Sequence, residues 1–249
     1  GRPRDRALMT PKRAWVLTML TWVLAWIPPA AAGQPGLRPF EAEYQLRRDS
    51  VVFGKMLLSL SISETGDYLY QASTLATGLA AVLRSDQITE LSEGRIRGDS
   101  VVPERYLYHH QRAEKPRHIT LDFDWQSQRV TNHAAGEHWT MPIMENTQDK
   151  FSQQLALMLQ AQQGAEQIEF PVADGGRLKN YRYDHKGLAT LETPAGIFPA
   201  LRLDRRKDAR PSQSSIWLAP EMNFLPLKIE RRGDSGVVLM ELLSVDWKD

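Results

Sequence analysis

The chain has 249 residues, with 31 Lys/Arg against 30 Asp/Glu, a net charge of +1, and no cysteine. The missing cysteine excludes disulfide staples, a thiolate nucleophile, cysteine metal sites and a lipidated N-terminal cysteine. Balanced charge leaves no electrostatic footprint for nucleic acid, and the length suits one domain with a core of its own.

Residues 1–32 read as a secretory signal peptide, with residues 1–8 a mis-called start ahead of Met9. Lys12-Arg13 leads into a largely apolar run, Ala14 to Ile27, which ends at Pro28-Pro29 and the small residues Ala30-Ala31-Ala32. A membrane-spanning helix needs about 20 apolar residues; this run is shorter, and the proline pair breaks it. Cleavage between Ala32 and Gly33 is expected, with a retained anchor as the alternative. The segment holds five Lys/Arg and one Asp, so its loss takes the net charge from +1 to −3 and leaves 217 residues. The expected product is a single β-rich domain, 33–249, exported and periplasmic in a Gram-negative host. It has no stable membrane span and no nucleic-acid partner.

From Phe40 onward the pattern alternates with period two, the signature of half-buried strands. Phe40, Ala42, Tyr44 and Leu46 share one face, as do Met56, Leu58, Leu60 and Ile62, and again Ile119, Leu121, Phe123 and Trp125. Further strands are predicted near 67–75, 86–92, 101–111, 127–133, 167–172, 178–184, 188–193, 197–206, 213–219 and 225–232. Val237 to Trp247 is apolar on both faces, which places it mid-sheet or beneath a helix. Turns fall at Asp49-Ser50, Ser63 to Asp67, Asp99-Ser100, Asp174-Gly175-Gly176 and Asp234-Ser235. Pro226 lacks a ladder donor, so its strand is an edge strand or has only just begun.

One amphipathic helix is predicted over 149–163. Phe151, Leu155, Met158 and Gln162 form its stripe, Asp149 or Thr147 caps it, and Gly164 ends it. The apolar segment Thr77 to Leu83 lacks alternation; it is either buried under the sheet edge or the lip of an opening.

Candidate chemistry is sparse. Gly233-Asp234-Ser235-Gly236 is similar to the nucleophile stretch of chymotrypsin-like proteases, but the triad's histidine and aspartate contexts are missing, and a hairpin turn explains it better. His109 and His110, adjacent on a strand, point to opposite faces. His133 and His138 bracket a hairpin tip with Glu137, too few ligands for a firm metal site; His118 and His185 look like surface positions. The i, i+2 acid pairs Asp122/Asp124 and Glu41/Glu43 suit a solvated sheet face. No catalytic residue, cofactor or metal is assigned.

Several stretches together resemble the DUF3108 family of exported bacterial proteins, whose function is not established. They are Phe40 to Arg47, Gly54-Lys55, Val102 to Tyr106, Phe123-Asp124-Trp125, Asp149 to Ser152, Thr193 to Gly196, and Trp217 to Glu230, and they span nearly all of 33–249. The last stretch also resembles the strand pair of periplasmic lipoprotein carriers, whose incomplete barrel wraps an apolar cavity. That second likeness transfers no catalytic residue.

The expected fold is mainly β: a large curved antiparallel sheet or unclosed β-barrel, with the helix on its concave face. The leading functional expectation is non-enzymatic binding of an apolar or amphipathic ligand, such as a lipid or lipidated partner, in that concavity. Trp125, Phe151, Leu155, Met158, Trp217 and Phe224 would line it, with Leu79, Val82 and Leu83 as a lip. The competing view is that these residues are ordinary core. The alternative function is a cell-envelope assembly factor pairing through a strand edge with another envelope protein, and a hydrolase is third.

Overall fold

The computed structural model describes residues 36–78, 81, 87–111, 116–207, 210–233 and 236–248. The predicted signal peptide, the lip residues Leu79, Val82 and Leu83, and the Asp234-Ser235 turn lie outside the described residues.

Residues 35–249 form one compact unit. Its strands are β1 (Phe40–Arg48), β2 (Val51–Ile62), β3 (Asp67–Ala76), β4 (Gln87–Arg97), β5 (Ser100–Gln111), β6 (Arg117–Asp124), β7 (Arg129–Ala134) and β8 (Glu137–Pro142). After β9 (Gln148–Asp149) comes helix α1 (Ser152–Gln162), then β10 (Gln167–Asp174), β11 (Arg177–Thr193), β12 (Gly196–Lys207), β13 (Arg210–Ala219), β14 (Leu225–Gly233) and β15 (Gly236–Trp247). All fifteen strands join one sheet in the order β8-β7-β6-β5-β4-β3-β2-β1-β15-β14-β13-β12-β11-β10-β9. Every pairing is antiparallel except β9 with β10. The chain meanders out to β8, crosses to the opposite edge through residues 143–147, and meanders back to close against β1.

The period-two faces behave as predicted. Phe40, Ala42, Tyr44 and Leu46 are buried, as are Leu58 and Leu60, while Leu57, out of phase with them, is exposed. β15 lies mid-sheet between β1 and β14, which accounts for its two apolar faces. Pro226 is the second residue of β14, where a missing ladder donor costs least. β11 is one long strand rather than two: the register slips between His185 and Leu188, and Gly187 takes a positive φ there.

The helix departs furthest from expectation. Leu155 and Leu157 point to different sides, yet both are fully buried, as are Ala156, Met158, Leu159 and Ala161. Tyr70 of β3 stacks on Phe151 at 4.1 Å, and Tyr183 of β11 donates to Gln153 Oε1 at 2.6 Å. Strands from both halves of the sheet therefore reach the same helix, so the sheet curls round α1. The helix sits on the concave face, as expected, but is buried on most sides and not along one stripe alone.

Its two ends are tied differently. Gln162 near the C-terminus donates from Nε2 to Asn223 Oδ1 at 2.9 Å and accepts the Gly36 N–H at 2.9 Å. Asn223 Nδ2 donates to Gly36 O at 3.0 Å, and Gly164 leaves the helix at a φ of +71°. The Pro220–Met222 turn of the Trp217 to Glu230 stretch thus serves to knot the bottom of the barrel.

Candidate functional site

The residues expected to line a chamber do not surround one space. Phe151, Leu155 and Met158 are packed core on α1. Trp125 stacks on Phe123 at 5.8 Å and donates to Pro103 O at 2.7 Å, beside a separate cleft with Arg97 and Glu104. Trp217 lies on the face of β13 opposite Ile216 and Leu218, as period two demands, between Arg202 at 5.2 Å and Lys228 at 4.8 Å. Phe224 follows Asn223 in a left-handed turn and packs against the core at the knotted end.

The opening lies elsewhere, at the seam between the two sheet edges. Trp139 on β8 rests against Gly176 in the β10–β11 turn. A Cβ on Gly176 would stand 2.6 Å from the indole, and its φ is +73°. Beside this latch is a cavity of about 380 Å³ with walls from both halves of the barrel. Glu90, Tyr106, Arg117, Asn132 and Trp139 come from β4 to β8; Lys150 and Gln154 from the start of α1; Asp174 and Arg231 from β10 and β14. Strand parity aims the two arginines inward. Arg231 is in phase with Leu225, Leu227 and Ile229, and Arg117 with Ile119 and Leu121. Each inward stripe starts apolar at depth and ends in a cation at the mouth.

The carboxylates of the cavity are already engaged. Tyr106 donates to Glu90 Oε1 at 2.6 Å. Burial alone would raise the pKa of Asp174, but Lys179 at 2.7 Å, Lys150 at 3.7 Å and the Tyr181 hydroxyl at 3.0 Å hold it below the usual carboxylate range. Asn132 is 3% exposed, and its Oδ1 has no hydrogen-bond partner among the described residues. An orphaned buried acceptor costs about 1–3 kcal/mol, so it is worth explaining.

A second polar cluster is structural. Asp149 is fully buried; Oδ1 accepts the Phe151 and Ser152 N–H groups, both at 2.7 Å, and Oδ2 accepts Ser92 Oγ at 2.6 Å. Tyr68 completes the chain at 2.9 Å from Ser92. Burial pushes the Asp149 pKa up to about 6, against the opposing pull of these donors. Asp149 is the predicted cap, and it fastens the helix start to β3 and β4.

Other candidates resolve into pairs on the outer face. His133 and His138 are cross-strand neighbours with ring centroids 5.9 Å apart, and no group of three metal-ligating side chains is assembled among the described residues. His109 and His110 face opposite ways, the latter buried. Asp124 caps its turn through the Gln126 and Ser127 N–H groups, while Asp122 meets Arg105 at 3.7 Å and His133 at 3.4 Å. A larger outer groove of about 600 Å³ crosses β1 to β4 and β15, but its acids Glu41 and Asp246 pair with Lys248 and Glu43 with Lys55. Its walls belong to one sheet face, so side chains do not converge there as they do at the seam.

An unclosed, barrel-like antiparallel sheet wound round one buried helix is the class this architecture defines. The chain belongs to the DUF3108 family, described as a protein of unknown function, whose family model matches residues 41–242. No functionally curated protein matches it. Among solved structures it is similar to the beta-barrel-like protein of domain of unknown function DUF1849 from Brucella abortus. That likeness has a TM-score of 0.55 at 11% identity, over 86% of this chain and 99% of that one, and concerns the fold alone. A protein provisionally described as a lipoprotein, from Parabacteroides distasonis, aligns at a TM-score of 0.33 and 9% identity over 85% of this chain and 97% of that one.

Proposed function

We propose that the protein is an exported, non-enzymatic binding protein that holds one small ligand at the seam between the sheet edges. The observation that carries this reading is the convergence on one opening of side chains from both halves of the barrel and from the helix start. An acyl chain in the centre of the barrel would need the space filled by Phe151, Leu155, Leu157 and Met158. The buried part of the ligand is therefore polar, and an amphipathic molecule would enter head first. Export rests on the N-terminal pattern; no helix among the described residues is long and apolar enough to cross a membrane. The test is native mass spectrometry of the protein purified from its own host, against Ala134→Trp, which fills the cavity from β7. A bound small molecule should be present in the first and absent from the second. Equal occupancy in both would refute the site.

A second reading, assembly through a strand edge, is favoured by β8, whose side chains are mostly exposed and which pairs with β7 alone. Crosslinking from Glu137→Cys at that edge should then capture one defined envelope protein in cells, and an unchanged background would argue against it.

A further inference from the structure

We propose, on the basis of the binding-protein reading, that the seam cavity is selective for an anionic sugar: a compact ring that bears a carboxylate or phosphate together with free hydroxyls. Four independent features of the wall define that chemistry. First, the unbalanced charge is positive. Glu90, hydrogen-bonded by the neutral Tyr106 hydroxyl, keeps its charge, but Asp174 is already neutralised by Lys179 and Lys150, so two arginines face one carboxylate. Neither Arg117 nor Arg231 has a carboxylate within ion-pair distance among the described residues. Outside its N-terminal segment the chain carries a net charge of −3, so cations gathered at one inward-facing mouth run against the overall charge. Guanidinium groups match the planar oxygens of carboxylate and phosphate through paired N–H donors.

Second, the amide of Asn132 borders the cavity with its acceptor oxygen unpaired and asks for a donor. A fully deprotonated anion such as sulfate has none to offer, whereas a sugar hydroxyl does. Third, the indole of Trp139 supplies a flat apolar wall, held in place by Gly176, suited to the C–H face of a ring. Fourth, at about 380 Å³ the space lies near the small end of ligand pockets, roughly 300–1,000 Å³. A long lipid is excluded from the cavity, though a lipid's sugar head is not.

Calorimetric titration of the protein with glucuronate, glucose 6-phosphate, glucose, sulfate and the neutral apolar dye N-phenylnaphthylamine tests the proposal. The first two probes separate a carboxylate from a phosphate source. At least one should bind about tenfold or more tightly than glucose and weaken as salt rises. Arg117→Gln and Arg231→Gln alter exposed side chains, so both variants should fold, and each should reduce that affinity about tenfold or more. Asn132→Leu should weaken the sugar while leaving sulfate unchanged. The near-isosteric Asn132→Asp should weaken anionic sugars most, by repulsion. Glucose binding as tightly as glucuronate, failure of both anionic sugars to bind, or preference for the dye would overturn the anionic-sugar assignment. If the preferred probe is nonetheless lost in Ala134→Trp, the cavity remains the binding site. Unchanged binding of every probe in Ala134→Trp would remove the site itself.

Discussion

Replacing Asp149 by asparagine should make the protein less sensitive to pH in a direction the structure dictates. The carboxyl is fully buried, and its pKa stands at about 6 against an ordinary 3.8. In the unfolded chain the proton leaves near pH 4; in the folded protein it stays until about pH 6. Between those values the native state binds more protons than the unfolded one, so this group's contribution falls as pH rises. The loss is complete once both forms are ionised. A difference of about two pKa units at about 1.4 kcal/mol each gives roughly 3 kcal/mol. Asparagine is as good an N-cap as aspartate and can still accept the Phe151 and Ser152 N–H groups, while its amide nitrogen turns to the Ser92 hydroxyl. The variant carries no proton to lose. Urea denaturation of both proteins at pH 4, 5, 6 and 7 should show the stability of Asp149→Asn, relative to the native sequence, rising by about 2.4 kcal/mol across the series, the remainder having been lost below pH 4. Most of that rise should come below pH 6. A constant difference over the whole range would refute the reasoning, because it would mean that burial does not hold the proton.

Leu155→Ala removes a fully buried side chain from α1 and should cost about 2–5 kcal/mol, read as a lowered urea midpoint; a cost under about 0.5 kcal/mol would place the helix at the surface. Gly176→Ala drives a methyl group into the Trp139 ring at a position of positive φ, and should destabilise the seam by about 1–3 kcal/mol. Adding Trp139→Leu should recover the steric part of that loss, and no recovery would show that the two residues do not touch. Edman sequencing of the protein from a cell-envelope extract should begin at Gly33, and a chain still carrying Trp22 and Trp26 would favour a retained anchor.

Much of the fold was legible because the period of the apolar residues reports which face is buried. It does not report which strand is the neighbour, so the pairing of Phe40 with Trp247 and the late return to β1 could not be read from it. β8 escaped notice because Glu137-His138-Trp139-Thr140-Met141-Pro142 is mostly exposed on both faces and so has no alternation. Gly187 looked like the end of a strand, whereas the bulge there lets β11 run on. Leu157, Ala156 and Ala161, away from the Phe151–Met158 stripe, already argued for a helix buried all round. The residues of the seam cavity were not singled out in the sequence. Arg117 and Arg231 drew no assignment, although each continues an inward stripe of Ile and Leu in strict phase. Trp217 is buried, as its apolar side chain suggested, but it alternates with Ile216 and Leu218 along β13 and lies between Arg202 and Lys228.

The central ladder also constrains when this molecule can become itself. Phe40 pairs with Trp247 and Tyr44 with Leu242, contacts separated by about two hundred residues, and the sheet turns on that junction. Closing so long a loop is slow, and it brings no return until the last strand has been made. A chain emerging from the ribosome can assemble the β1 to β8 meander early, but the central β1–β15 junction cannot form until residues 236–247 have been made.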